Sequence, residues 1–402
     1  MKIEYSFDFP RRTVVVAVLL TVAVARQADA QSNVTLYGQI DNGIQYLSGL
    51  PTGDHEFSLE TGGFDSSRFG LKGSEDLGGG TSAIFRLESA IDTLNGTIGN
   101  GSLFARNATV GLSNAAWGTF KMGNIGVDEI AEDSYEVDPQ LMQFYGIETL
   151  VRGRNWSQAG NTLEYTSPTF RGLTFKGQYD LGNSTSWNQG DSGPNQLGNF
   201  TQGRSDGLKL KYVNGDMELT AIYDEIRDGN GEFDNVYVNS RSILAGGQFT
   251  VGPVKVYTGY QHLGAPNASN LGVYGAGGSP TTLPGGVSLP TAVDHEWLGA
   301  LWQASPATAF TLAVYHANAN KGNGNATLYT LGGTYNLSKS TFFYAEAGYV
   351  HNSSTSNIGL GDGYSDPYGA NINNDPASGS SSTAPNYGHG QEGVFAGIMK
   401  KF

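Results

Sequence analysis

The chain has 402 residues, 58 of them glycine, with no cysteine, 15% charged side chains and a formal net charge of −14. Glycine at roughly twice its usual frequency, with so few charges, excludes a charge-rich disordered chain. The acidic balance excludes a nucleic-acid partner, because phosphate binding needs grouped Lys and Arg, and the lack of cysteine removes disulfides, Cys-ligated metal centres and thiol nucleophiles together.

Arg11 and Arg12 precede an apolar run from Thr13 to Ala25, and Ala28-Asp29-Ala30 has the small-x-small spacing that signal peptidase reads. A bilayer-spanning helix needs about 20 apolar residues, so residues 1–30 read as a secretory leader cleaved before Gln31. Cleavage removes four basic and three acidic side chains and leaves 19 against 34, a balance of −15. Nothing in residues 31–402 approaches the roughly 18 consecutive apolar residues of a membrane helix. A periplasmic protein or an outer-membrane barrel remains.

From Val34 onward the pattern has period two. Val34, Leu36, Ile40, Ile44 and Tyr46 alternate with Thr35, Gln39, Asp41 and Gln45, which gives one apolar and one polar strand face. The same split recurs at Leu208, Leu210 and Tyr212 against Lys209 and Lys211, at Met217, Leu219 and Tyr223 against Glu218, Thr220 and Asp224, and at Val254, Val256 and Tyr260 against Lys255 and Gln261. Alternation alone also fits a water-soluble sandwich, so connection lengths must decide. Short turn-bearing links occur at Glu75–Gly80, Asn114–Gly118, Ser167–Gly172, Val213–Asp216, Val251–Pro253, Ala304–Ala307 and Leu337–Ser340. Longer Gly/Asn/Ser-rich segments lie between them, centred near Leu50, Gly96, Ser134, Asp191, Gly229, Gly278, Gly322 and Asp375.

Seven short and eight long connections predict 16 strands, with both chain ends on the short-turn side. Tight turns on one rim and long loops on the other are the pattern of a transmembrane β-barrel, in which closure pairs every backbone amide away from water. The segments near Phe57 and Trp117 are the weakest strands, so 14 and 18 stand as alternatives. In the last strand Val394, Ala396, Ile398 and Phe402 share one face, and the chain stops on an aromatic residue. Such a C-terminal strand is what outer-membrane assembly machinery reads, which marks Phe402 as an assembly signal.

Six segments carry a family likeness: Asn33 to Tyr46 (NVTLYGQIDNGIQY), Ser66 to Gly80 (SSRFGLKGSEDLGGG), Ala83 to Ser89 (AIFRLES), Asn107 to Ser113 (NATVGLS), Asn161 to Leu173 (NTLEYTSPTFRGL) and the terminal GIMKKF. In this order the chain resembles the Gram-negative general porins of the beta-proteobacterial type. The resemblance implies an all-β fold over residues 31–402, a 16-stranded antiparallel transmembrane β-barrel with the third extracellular loop folded into the pore. It implies passage of ions and small hydrophilic solutes across the outer membrane, assembly as a homotrimer, contact with outer-membrane lipid and lipopolysaccharide, and no cofactor.

In such a porin the loop between the strands near Phe120 and Thr162 would narrow the channel. It carries Asp128, Glu129, Glu132, Asp133, Glu136 and Asp138, with no basic residue before Arg152; the plainer reading is a solvated acidic loop. Across an aqueous gap from it, basic side chains are expected on the inward face. Arg68 and Lys72 alternate with Phe69 and Leu71, and Arg86 and Glu88 alternate with Phe85 and Leu87. Arg106 precedes the ATVGL strand at a place where related porins carry arginine, yet it shares parity with Ala108, Val110 and Leu112. It faces inward only if the strand starts after it or bulges. Arg152 and Arg154 close the acidic loop. Facing rows of opposite charge bias ion entry, and the −15 balance tips the expected channel weakly toward cations.

Other motifs carry little. Gly190-Asp191-Ser192-Gly193-Pro194 has a serine-protease-like context with no matching histidine segment. Asp228, Asn230, Glu232 and Asp234 have calcium-loop spacing, but Asn239 stands where the twelfth-position carboxylate belongs. His55, His262, His295, His316, His351 and His389 are widely spaced, and Gly78-Gly79-Gly80 lacks the GK[ST] of a phosphate loop. Rival readings are a substrate-specific channel, an outer-membrane hydrolase on a smaller barrel, and a secreted β-sandwich adhesin.

Overall fold

The computed structural model describes residues 33–402 except 51, 127, 142, 157–159, 181–204, 229–230, 269–288 and 361–382. The leader, the Gly190–Pro194 motif, Asn230 of the calcium-like spacing and the middles of the longest loops therefore lie outside the described residues.

Eighteen strand segments form the wall: β1 (Asn33–Leu47), β2 (Glu56–Thr61), β3 (Arg68–Gly78), β4 (Thr81–Asp92), β5 (Thr97–Ile98), β6 (Asn107–Asn114), β7 (Gly118–Asn124), β8 (Thr162–Thr166) and β9 (Leu173–Asp180) make the first half. β10 (Ser205–Asn214), β11 (Met217–Ile226), β12 (Arg241–Val251), β13 (Val254–Gly264), β14 (Ala292–Ser305), β15 (Thr308–Ala319), β16 (Ala326–Ser338), β17 (Thr341–Asn352) and β18 (Gln391–Lys401) complete it. Successive strands pair antiparallel, and β1 pairs with β18, so the sheet closes on itself. The count is sixteen because two segments are not wall strands of their own. β2 and β3 both pair with β1, at Asn42–Leu47 and at Asn33–Gln39, as one strand interrupted at 62–67. β5 pairs only with the last two residues of β4, as the return of a short hairpin.

All seven short links fall between strands where the sequence places them. The segment near Gly322 is an exception to the long-loop pattern, since β15 ends at Ala319 and β16 begins at Ala326. The apolar face points outward: Leu36, Ile44, Leu298, Leu312 and Leu331 are all more than half exposed, while Gln39, Asp41, Gln45, Lys209 and Gln261 are buried inside. Water would expel such an exterior and hydrocarbon would not. Among the described residues no helix is long and apolar enough to cross a membrane.

At the interruption the chain turns into the barrel. Asp41 of β1 accepts the backbone N–H groups of Phe64 (2.8 Å) and Asp65 (2.9 Å) and the hydroxyl of Tyr344 (2.6 Å). Phe64 then packs edge-on to Phe342 and Tyr344, with ring centroids 4.9 and 5.3 Å away.

Candidate functional site

The described residues between 125 and 161, loop 3 hereafter, lie inside the barrel against the wall. Its path is written in hydrogen bonds. Ile130 N donates to Gln178 of β9 (2.8 Å), Trp297 of β14 donates to the Val137 carbonyl (2.7 Å), and Gln140 donates to Thr330 of β16 (2.6 Å). Tyr145 N reaches Glu346 of β17 (3.2 Å), Gln45 of β1 donates to the Tyr145 hydroxyl (3.0 Å), and Phe144 N donates to Gly63 O (3.2 Å). The chain returns through a short helix, Ile147–Leu150, packed on β15 and β16. Ile130, Val137, Ile147, Leu150 and Val151 join the apolar cluster of Leu244, Leu263, Val293 and Leu328 on the wall. Apart from its first residues, where Ile125 and Asp128 touch Asn107 of β6, Arg86 of β4 and Lys121 of β7, loop 3 covers the wall from β9 round to β1 and leaves the rest of β3, β4, β6 and β7 uncovered.

Of the expected basic side chains only Arg86 meets a loop carboxylate, and Asp133 and Glu136 touch wall lysines instead of facing cations across a gap. Arg86 holds Asp128 at 2.8 Å, and Lys121 of β7 stands 3.7 Å from Asp128 and 2.9 Å from Glu164 of β8. Asp133 lies between Lys176 of β9 (3.1 Å) and Lys209 of β10 (3.0 Å). Glu136 pairs with Lys209 (2.7 Å) and Lys211 (3.4 Å), and Lys211 reaches Glu218 (2.7 Å). The expected transverse pair of rows is therefore a zipper of ion pairs that seats the first half of loop 3.

On the uncovered wall, Glu88 of β4 is fully buried among cations. It accepts from Arg86 (2.7 Å), Arg106 (2.8 Å) and the Tyr37 hydroxyl (2.7 Å), with Arg68 at 3.8 Å. Arg106 reaches Glu88 because β6 begins one residue later, at Asn107, which resolves its parity. Arg68 also grips Asp65 at 2.7 Å. Lys72 has no carboxylate partner among the described residues and rests 5.0 Å from the Tyr37 ring centroid. Below the cluster opens a cavity of about 380 Å³ whose charged lining is Lys72, Arg86, Lys121 and Asp128, with Thr35, Ser74 and Thr109 beside them.

Of the ten expected residues Lys72, Arg86 and Asp128 line this cavity, Arg68 and Arg106 stand beside it around Glu88, Asp133 belongs to the zipper, and the other four sit elsewhere. Glu129 is buried and accepts the Ser205 hydroxyl. For Glu132, burial first, and Glu129 and Glu148 next, push the carboxyl well above the usual range against the pull of Arg106. Arg152 is buried among the outer loops, donating to Asn323 (3.2 Å) and Asn357 (3.1 Å). Arg154 is buried against Asp224 of β11 (2.5 Å) and Ser240. The last two pin the return arm of the loop and do not reach the cluster around Glu88. The reading from sequence also left out Lys121, Glu164 and Lys176. Their signal was present in Lys121 between Phe120 and Met122 and in Lys176 after Phe175, each a charge alternating with apolar neighbours. Among the described residues no group of three or more His, Asp or Glu is placed to hold a metal.

A closed sixteen-stranded barrel, greasy outside and polar inside, with a loop seated in its lumen, is the architecture of an outer-membrane channel. The family model "Gram-negative porin" matches residues 15–355, and the chain belongs to that family. An outer membrane porin protein of Bordetella pertussis is 30% identical over 377 residues, covering 85% of this chain and 94% of that one. Outer membrane porin protein 32 of Delftia acidovorans is 26% identical over 358 residues, covering 85% and 90%. Among solved structures, the anion-selective porin from Comamonas acidovorans superposes with a TM-score of 0.70 at 23% identity, over 92% of this chain and 100% of that one. The protein is an outer-membrane porin of a Gram-negative cell.

Proposed function

We propose that the channel passes ions and small hydrophilic solutes by passive diffusion, and that it filters them by size between loop 3 and the uncovered β3–β7 wall and by charge at the cavity below. One observation carries the reading: the body of the loop lies against the β9–β1 side of the lumen, and the charged cavity opens beside the β3–β7 wall, with only Asp128 of the loop in its lining. A cation preference follows from the −15 balance only if every carboxylate is counted equally. The zipper pairs Asp128, Asp133 and Glu136 with wall cations. Three of the four charges lining the cavity are positive, and this supports a preference for anions, because a ring of one sign in a narrow aqueous section sets the local counter-ion concentration.

Planar-bilayer recording in a salt gradient tests both parts. The purified protein is expected to give stepwise conductance with a reversal potential on the anion side. Lys72→Glu with Lys121→Glu should move that potential toward cations. A silent membrane ends the channel reading; a wild-type potential on the cation side ends the charge assignment alone. Insertion in groups of three would support the homotrimer, which we adopt as the working assembly together with leader cleavage before Gln31, contact with lipopolysaccharide, and recognition of Phe402 by the assembly machinery.

A further inference from the structure

Loop 3 can lie flush on the wall because the wall is bare beneath it. Gly207 of β10, Gly246 of β12, Gly299 of β14, Gly332 of β16, Gly348 of β17 and Gly393 of β18 share the inward parity of their strands and lie under Ile130, Val137, Pro139, Gln140 and, for the last two, Tyr145. A methyl group added at Gly348 would stand 2.9–3.1 Å from the ring and Cβ of Tyr145, and one at Gly207 would stand 3.0–3.1 Å from Ile130. At Gly299 the added carbon would meet Pro139 at 2.5 Å, and also the carbonyl of Leu312 at 2.7 Å. Gly207 and Gly348 are thus the two sites where the nearest atoms belong to the loop alone.

We propose that this glycine track sets the width of the channel, so that Gly207 and Gly348 are specificity-determining residues although neither is a charged lining group. The inference rests on the size-filter reading above. When an added carbon must be accommodated, either the wall or the loop gives way. The wall strands are held on both sides by continuous ladders, Gly348 between Thr330 and Gly393, and Gly207 between Gln178 and Asp224. The loop, in contrast, has a water side, marked by the exposed Tyr135 and Leu141. Displacement therefore runs toward the lumen, by about 0.5–1 Å per site to regain ordinary contact.

The test compares Gly207→Ala, Gly348→Ala and the double variant with Gly177→Ala, whose added carbon would lie on the outward face of β9 with its nearest neighbour at 3.3 Å. Folding is checked by heat-modifiable migration in detergent gels, and the readouts are single-channel conductance and the size limit for neutral polymers. Each inner-face variant is expected to conduct less, about 1.2- to 2-fold for the double variant, with a lower size limit, while Gly177→Ala matches wild type. Unchanged or raised conductance in both inner-face variants overturns the proposal. Should one fail to fold, the other decides. Failure of both assigns the glycines to assembly rather than width, and overturns it too. A silent wild type indicts the channel reading; a conducting wild type with unaltered variants indicts only the track.

Discussion

Glu88 shows how much one residue can organise. Its carboxylate is fully buried and is the common acceptor for Arg86, Arg106 and Tyr37. Removing the charge while keeping the shape leaves guanidinium groups confined together without their counter-ion, and breaking a buried pair in this way costs about 3–5 kcal/mol. Glu88→Gln is therefore expected to lower the unfolding temperature in detergent and to move the reversal potential further toward anions. Arg106→Gln should shift that potential the other way, and matching shifts in the two variants would show that the cluster does not act through its charge.

Glu148 in the return arm makes a different point. It is buried, one carboxyl oxygen has no partner among the described groups, and burial, reinforced by Asp138, raises its pKa well above the usual range despite Ser134 and Arg154 nearby. The folded chain then keeps this proton at pH values where the unfolded chain, at about 4.3, has lost it. Stability from this group is fully present below the unfolded value and is lost as pH rises through the folded one. Glu148→Gln cannot lose a proton, so it should raise the unfolding temperature at pH 8 relative to wild type and leave it nearly unchanged at pH 4. An equal effect at both pH values would remove the titration from the account.

Among the elements, loop 3 is held by two devices of unlike kind, a zipper of partly exposed ion pairs along its first half and buried pins along its return. Zipper pairs as open as Arg86–Asp128, 31 and 25% exposed, contribute about 1 kcal/mol or less each, whereas Arg154 and Asp224 are 0 and 4% exposed, so the pins should dominate the persistence of the return arm. Arg154→Ala leaves Asp224 buried and unpaired and should expose the return arm to protease. Replacing both partners, Arg154→Met with Asp224→Leu, should be far milder, because a buried pair exchanged for apolar groups of like size is often neutral. Protection lost equally in both would mean that the guanidinium's hydrogen bonds to Ser240 hold the arm instead.

The strands were legible in sequence because period two and turn chemistry are local, and both survive in a single chain read alone. The uncertain strand near Phe57 reflects a real interruption, in which the inward turn at 62–67 exists only because Asp41 and Tyr344, far along the chain, receive it. Wall charges such as Arg68, Lys72 and Arg86 were legible for the same local reason. The seat of loop 3 was not. Its partners are scattered over the wall from β1 and β4 to β17, and nothing within residues 125–161 says that Arg152 and Arg154 turn to the outer loops and Asp224 while Asp133 meets Lys209.

For the molecule as a whole, closure is the decisive step, since an open sixteen-stranded sheet would present unpaired amides to lipid. The seam joins β1 to β18 from Gln39 opposite Lys401 to Leu47 opposite Gly393. Phe402 extends it by two bonds, donating its N–H to Gly38 O at 2.9 Å and accepting from Gly38 N at 3.0 Å. Gly38 must be bare here, because an added methyl group would stand 2.5 Å from the Phe402 ring and 2.6 Å from the carbonyl of Arg68. Two backbone bonds contribute about 1–3 kcal/mol together, a small part of a seam that keeps the rest of its ladder. Deleting Phe402 is thus expected to lower the unfolding temperature of the refolded barrel only slightly. If the terminal aromatic is also the group the assembly machinery reads, the same deletion should sharply reduce the amount of barrel reaching the outer membrane in cells. Gly38→Ala, which strains the seam but leaves the ending intact, should instead impair refolding in detergent and assembly in cells alike. Equal losses in both settings for the Phe402 deletion would reduce its role to seam geometry.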